Sequence, residues 1–202
     1  MKQYPTIARA IDRGLQIYAF NKIDGSNIRA EWSRKHGFNK FGSRNVLMDE
    51  NHEHLGDAVK LIQQGYAFAL GEIFRKQRWD RAICFFEFAG PNSFAGQHVA
   101  EPHQVTLIDV NPHKKGIEPP RDFIRTFGDL GIPTCLHVGK ATVSFEQSVR
   151  DGTLAGMGSE GVVCKGVRKG RHLTMFKIKS DAWIAKLKEF CGDDDKKFQR
   201  LL

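Results

Sequence analysis

Nowhere in the 202 residues does an apolar run approach the roughly 20 positions that a helix needs to cross a bilayer. The opening segment, Met1 to Gly14, also lacks the continuous apolar stretch of a secretory signal. Both absences lead us to expect a cytoplasmic protein with no membrane partner. Cysteine is sparse: Cys84, Cys135, Cys164 and Cys191 are widely spaced and form no C-x-x-C pair, which argues against a zinc knuckle or a dithiol motif and predicts reduced thiols. There is no G-x-x-x-x-G-K-[ST] loop, so P-loop chemistry is not indicated, and the eight histidines include no H-E-x-x-H. Gly156-Met157-Gly158-Ser159-Glu160-Gly161 satisfies G-x-G-x-x-G, but an apolar strand follows where a dinucleotide fold would open a helix, so it reads as a loop.

What is present fits an ordinary folded chain. Hydrophobic residues make up 41% and charged residues 27%, enough for a core in a single domain over residues 1–202. Basic residues outnumber acidic ones, 31 against 23, for a formal charge of +8. That excess favours a polyanionic partner, because Lys and Arg neutralise phosphate, although charge alone serves solubility equally well.

Periodicity divides the chain into strands and helices. Leu15–Phe20 reads as a strand, and Ile28, Ala30 and Trp32 alternate with polar neighbours as a second. Lys35–Lys40 reads as a turn, and Leu55, Ala58, Val59 and Ile62 mark a helix that Gly65 ends. Tyr66–Phe74, Ala82–Ala89 and Gln104–Val110 are read as strands, and Pro119-Pro120 introduces a helix with Phe123, Ile124, Phe127 and Leu130 on one face. Ser144 is expected to cap a short helix, followed by strands over Gly161–Gly166 and Leu173–Lys179 and a last helix carrying Trp183, Leu187 and Phe190. Strands in runs with helices inserted between them predict an α+β fold of mainly antiparallel sheets with flanking helices.

Lys22-Ile23-Asp24-Gly25-Ser26-Asn27 lies between the first two strands. It is followed in order by Phe41-Gly42-Ser43-Arg44, Phe86-Glu87-Phe88-Ala89-Gly90, Leu107-Ile108-Asp109-Val110, Glu160-Gly161-Val162-Val163-Cys164-Lys165 and Phe176-Lys177-Ile178-Lys179. Singly each is weak; a lysine in a turn is usually just solvated. As an ordered series from about Phe20 to Ser180 they resemble the motif set of the covalent nucleotidyltransferase superfamily of polynucleotide ligases and capping enzymes. Within it the sequence is most similar to the RNA ligase 2 type, whose first motif reads K-x-x-G-[ST]-N and whose third resembles Phe86–Pro91.

The resemblance implies a nucleotidyltransferase (adenylation) fold and an ATP-dependent RNA ligase, with RNA preferred over DNA. Lys22 would carry AMP as a lysyl adduct, helped by Lys177 and Lys179. Asn27, Arg44, Glu87, Ile108 and Val163 would contact the nucleotide, and Asp24 and Glu160 would hold hydrated Mg²⁺ or Mn²⁺. A minimal DNA ligase and a nucleotide- or RNA-binding module without turnover stay open as alternatives. Most relatives also carry a C-terminal domain; here one helix and Asp193–Leu202 follow the last strand, so we expect no appended OB or other domain, with a partner chain or homo-oligomer as its source.

The chemistry has its own demands. Phosphorus is attacked by a neutral amine, and an exposed lysine with pKa about 10.4 is protonated at pH 7. Nearby cations disfavour the ammonium, and on a strand Lys177 and Lys179 point the same way and so share one face. The same pair would neutralise charge developing on the reacting phosphates. A solvated strand edge explains two lysines without any chemistry.

Overall fold

In chain order the elements are β1 (Gln16–Asn21), β2 (Ser26–Ser33), β3 (Gly37–Ser43), β4 (Leu47–Met48), α1 (Gly56–Gly65), α2 (Ala67–Lys76), β5 (Arg81–Ala89), β6 (Gln104–Pro112), α3 (Pro120–Phe127), β7 (Cys135–Lys140), α4 (Val143–Arg150), β8 (Gly161–Val167), β9 (Leu173–Lys179), α5 (Asp181–Cys191) and α6 (Asp195–Leu201). The computed structural model describes residues 1–91, 100–168 and 172–202. It resolves into two compact units, one of Met1–Pro5 with Asp24–Pro133, the other of Thr6–Ile23 with Thr134–Leu202. Each has its own antiparallel sheet and helices, so the α+β expectation holds.

The first unit carries the five-stranded sheet, in the order β4-β3-β2-β5-β6. Alternation along β2 and β5 sends Ile28, Ala30, Trp32, Ala82, Cys84 and Phe86 into a core where each is at most 1% exposed. Aromatic rings organise that core: Phe74 lies edge-on to Trp32 at 5.1 Å, stacks on Trp79 at 5.3 Å and meets Phe127 at 6.2 Å.

Tyr66–Phe74, expected as a strand, is mostly α2. A short apolar run fits either element, and here burial decides. Leu70, Gly71 and Phe74 face inward at helical spacing, while Phe68 is 83% exposed. The expected turn at Lys35–Lys40 is confined to Arg34–His36, and β3 begins at Gly37, whose φ of +63° tightens the hairpin.

The second unit carries the four-stranded sheet β7-β1-β8-β9. One face buries Ile17, Ala19, Val162, Cys164, Phe176 and Ile178 against Phe145 and Val149 of α4. The short, half-exposed edge strand β7 has too little alternating burial to stand out in sequence. Thr142, rather than Ser144, caps α4, accepting from Phe145 N at 3.1 Å. The expected final helix is two, α5 and α6, broken at Gly192 with φ +53°. No helix among the described residues is long and apolar enough to cross a membrane.

Ser180 ties β9 to α5. Its hydroxyl accepts from Trp183 N at 3.2 Å and donates to Ser159 O at 2.6 Å, fixing the backbone beside Glu160. We predict that Ser180→Ala loses about 1–2 kcal/mol, the usual cost of a removed N-cap. Thermal unfolding should register it as a midpoint drop of about 2–8 °C for a chain of this size; an unchanged midpoint would contradict the capping role.

Candidate active site

The other face of the second unit's sheet is chemically different. Because Phe176 and Ile178 point into the core, Lys177 and Lys179 point away from it on β9. Val163 and Lys165 on β8 share that face, with register pairs Val163–Lys177 and Lys165–Met175. Tyr18 and Phe20 of β1 complete it, and the parity continues to Lys22, whose N–H donates to Gly161 O at 2.9 Å and prolongs the ladder one residue past β1. Lys165 is buried with its ammonium 4.9 Å from the Phe20 ring centre.

Glu160 organises the cluster. Its carboxylate is buried, receiving Lys22 Nζ on one oxygen at 2.9 Å and Lys179 Nζ on the other at 3.0 Å. Lys179 also lies 3.5 Å over the Trp183 ring. One buried carboxylate thus stands between two ammonium groups with Lys177 close by, so the face carries an excess of positive charge. A buried ion pair of this kind is held by geometry and its hydrogen bonds rather than by net stabilisation. Chemically it amounts to a primary amine fixed in place beside further cations.

Lys177 feels the crowding. Burial first, then the charges of Lys179, Lys22 and Arg9, lower its pKa from 10.5 to about 8, with Glu160 opposing. Below about pH 8 the lysine is protonated in both folded and unfolded chains, and the cost of holding that charge is present in full. Between about 8 and 10.5 the unfolded chain binds the proton more tightly than the folded one, so this residue's contribution to stability rises with pH. We predict that the unfolding midpoint of wild type, compared with that of Lys177→Met, gains with pH across this window. Parallel midpoint-versus-pH curves for the two proteins would refute it.

The remaining expected residues belong to the first unit. Asn27 and Glu87 face each other across the β2–β5 ladder, and Asn27 Nδ2 donates to Phe86 O at 3.4 Å. Gly25 packs against this pair: a Cβ there would overlap Phe88 O and lie 3.1 Å from Glu87 Cγ. Ile108 is the extra residue of a bulge, since Phe86 pairs with Leu107 and Phe85 with Asp109, and a bulge re-aims the side chain it carries. Arg44 is exposed in the turn after β3, just beyond the Ile28–Ser43 pair, and its carbonyl accepts from Gln3. Asp24 opens the unit immediately before Gly25.

Sequence reasoning missed two contributors. Tyr4 donates its hydroxyl to buried Asp109; burial first, then Asp109 and Glu87, push its pKa well above the ordinary phenol value. Arg9 sits beside Lys177 because Ala8 bridges Phe176 at the edge of β9. Neither lies in a recognisable motif, and both depend on the N-terminal lead being placed by tertiary pairing.

No family model matches the sequence, and no curated protein matches it significantly. Solved structures do match. An archaeal ATP-dependent RNA ligase aligns with a TM-score of 0.69 at 17% identity, over 100% of this chain and 56% of that one. A lysine-to-alanine variant of the Naegleria gruberi RNA ligase, with ATP and Mn, gives 0.62 at 15% identity over 87% of this chain and 52% of that one. The same ligase with PPi gives 0.59 at 17% identity over 88% and 53%. The chain therefore spans a little over half the length of these solved chains. The fold is the nucleotidyltransferase fold of RNA ligases, as the motif resemblance implied.

Proposed function

We propose that this chain is an ATP-dependent RNA ligase that forms a covalent lysyl-AMP intermediate on Lys22 and joins 5′-phosphate to 3′-hydroxyl ends. The observation that carries the proposal is the Lys22–Glu160–Lys179 arrangement with Lys177 on the same face. A lone surface lysine would need no buried carboxylate to hold it, and a structural ion pair would need no additional cations around it.

In the first step Lys22 Nζ, having given up its proton, forms a bond to the α-phosphorus. The bond from that phosphorus to the bridging oxygen breaks, and pyrophosphate departs with the electron pair. Lys177 and Lys179 neutralise the charge that builds on the phosphate oxygens, which lowers the barrier electrostatically. AMP then passes to an RNA 5′-phosphate, and a 3′-hydroxyl attacks that activated end and releases AMP.

The nucleotide roles proposed for Asn27, Arg44, Glu87, Ile108 and Val163 come from the motif resemblance. The opposition of Asn27 and Glu87 and the bulge at Ile108 support them. Among the described residues no three His, Cys, Asp or Glu side chains gather into a metal cage. Hydrated Mg²⁺ or Mn²⁺ needs none, since one or two carboxylates suffice when phosphate oxygens and waters fill the other positions. Glu160, a buried carboxylate on the lysine-rich face, fits that use, and we propose it with Asp24 as the metal-holding pair. Bound there, the ion would supply charge neutralisation at phosphate oxygens. The ATP and Mn of the similar Naegleria ligase support the choice of ATP and a divalent ion. Because the chain covers only part of such ligases, we propose that a partner chain or a second copy assists the sealing steps.

The test is a reaction with ATP, Mg²⁺ or Mn²⁺ and nicked or single-stranded 5′-phosphorylated RNA, with matched DNA substrates in parallel. Joined RNA ahead of joined DNA is expected. Joining of DNA alone would favour the DNA ligase alternative, and RNA binding without any covalent AMP would favour the binding module.

A further inference from the structure

The lysine-rich face is in contact with α6. Lys177 Nζ donates to Leu202 O at 2.7 Å and Lys179 Nζ to Leu201 O at 3.3 Å. Arg9 joins them, donating one guanidinium nitrogen to Gln199 O at 2.9 Å and another to Gln199 Oε1 at 3.3 Å. Three cationic side chains thus converge on carbonyls in the final turn of one helix. There the backbone oxygens lack intrahelical partners, and the helix dipole places roughly half a negative charge.

We infer that Arg9 is a further phosphate-binding cation of this face, and that the carboxyl end of α6 occupies the place of the phosphates and must leave before a triphosphate can bind. The inference rests on the reading of this face as a phosphate site. Carbonyl oxygens and phosphate oxygens present the same acceptor geometry to Arg and Lys, but phosphate carries full negative charge and binds them more strongly. The exchange is therefore favourable once nucleotide is present, and in its absence α6 keeps the cations satisfied.

The helix is built to detach. None of its seven residues is buried, so leaving uncovers little apolar surface. Gly192, at φ +53°, separates it from α5 and supplies a swivel. Its contacts with the rest of the unit are polar or cationic: Lys197 lies 4.0 Å over the Phe190 ring, and the Arg9, Lys177 and Lys179 bonds hold the far end. Arg9 stays behind when α6 leaves, because Ala8 is hydrogen-bonded to the β9 backbone on both sides, Ala8 N to Met175 O and Lys177 N to Ala8 O.

The test uses the full chain with inorganic pyrophosphate as the probe, titrated calorimetrically. Phe198→Pro breaks α6 from within, removing the bond from Phe198 N to Asp194 O. Asp194→Ala weakens it more gently by removing the cap that accepts from Lys197 N. Phe198→Pro should bind pyrophosphate about tenfold more tightly than wild type, with Asp194→Ala shifted the same way by a smaller factor. In the Phe198→Pro background, Arg9→Ala should weaken binding about tenfold, the loss of one charge-assisted contact. Unchanged or weaker binding by both helix variants would overturn the competition, and unchanged binding on adding Arg9→Ala would overturn the role of Arg9. Pyrophosphate binding is read without any covalent step, so a chain that behaves as described yet never carries AMP would sustain this inference while defeating the ligase proposal.

Discussion

Lys22→Ala is expected to abolish covalent labelling by α-labelled ATP, lowering it by more than about a thousandfold, because no other group can take the place of a removed nucleophile. Lys22→Arg should fail equally, since guanidinium keeps its proton throughout the accessible pH range. Lys177→Met and Lys179→Met keep the nucleophile and lose electrostatic help, so they should retain label but acquire it about a hundredfold more slowly. Denaturing gels that count radioactivity on the protein band distinguish these cases. Full labelling of Lys22→Ala would show that the buried pair with Glu160 is structural. The contrast between abolished and slowed labelling separates a residue that bonds to phosphorus from those that only stabilise charge.

Gly161→Ala is expected to be the most damaging single methyl in the second unit. Gly161 sits at φ +125°, outside the region L side chains adopt. A Cβ there would overlap Ile178 O and lie 2.9 Å from Lys179 Cα. Those are backbone atoms of the paired strand β9, so relief requires the strand itself to move. Strain and overpacking together should cost about 3–5 kcal/mol. The strand displaced carries Lys177 and Lys179, and the glycine carbonyl holds the Lys22 backbone, so labelling should be lost along with stability. Gly128→Ala is the control: nothing lies within 4 Å of its Cβ position and its φ is −55°. It should be neutral or stabilising by about 0.5 kcal/mol. Urea midpoints for the two variants provide the comparison, and equal midpoints would contradict the account of the β8–β9 contact.

Where sequence reasoning succeeded, periodicity or motif order carried information that survives folding. Phe176 and Ile178 alternate with Lys177 and Lys179, and alternation alone separates a core face from a charged one. Lys22 was placed beyond a strand because Leu15–Phe20 is apolar and Asp24-Gly25 is not, and the ladder does continue to it. Failure came where local pattern is ambiguous or the decision is tertiary. Tyr66–Phe74 is apolar enough for either element, and only the burial of Leu70 and Phe74 settles it as a helix.

The double engagement of Glu160 was not legible, since motif order says nothing about which oxygen meets which lysine. Nor was the docking of α6, which depends on carbonyls that every residue possesses. Arg9 escaped for the same reason: its position follows from a bridge between Ala8 and Phe176, far apart in the chain. The separation into two units is likewise set by which strands pair, as β1 joins β7 and β8 rather than its sequence neighbour β2.

The most direct measurement is to locate the AMP. After reaction with ATP and Mg²⁺ or Mn²⁺, the protein is digested at neutral pH and the peptides are sequenced by mass spectrometry. AMP on Nζ of Lys22, and on no other lysine of that face, is the predicted result. AMP on Lys165, Lys177 or Lys179, or an unmodified protein under conditions in which the nucleotide binds, would contradict the account.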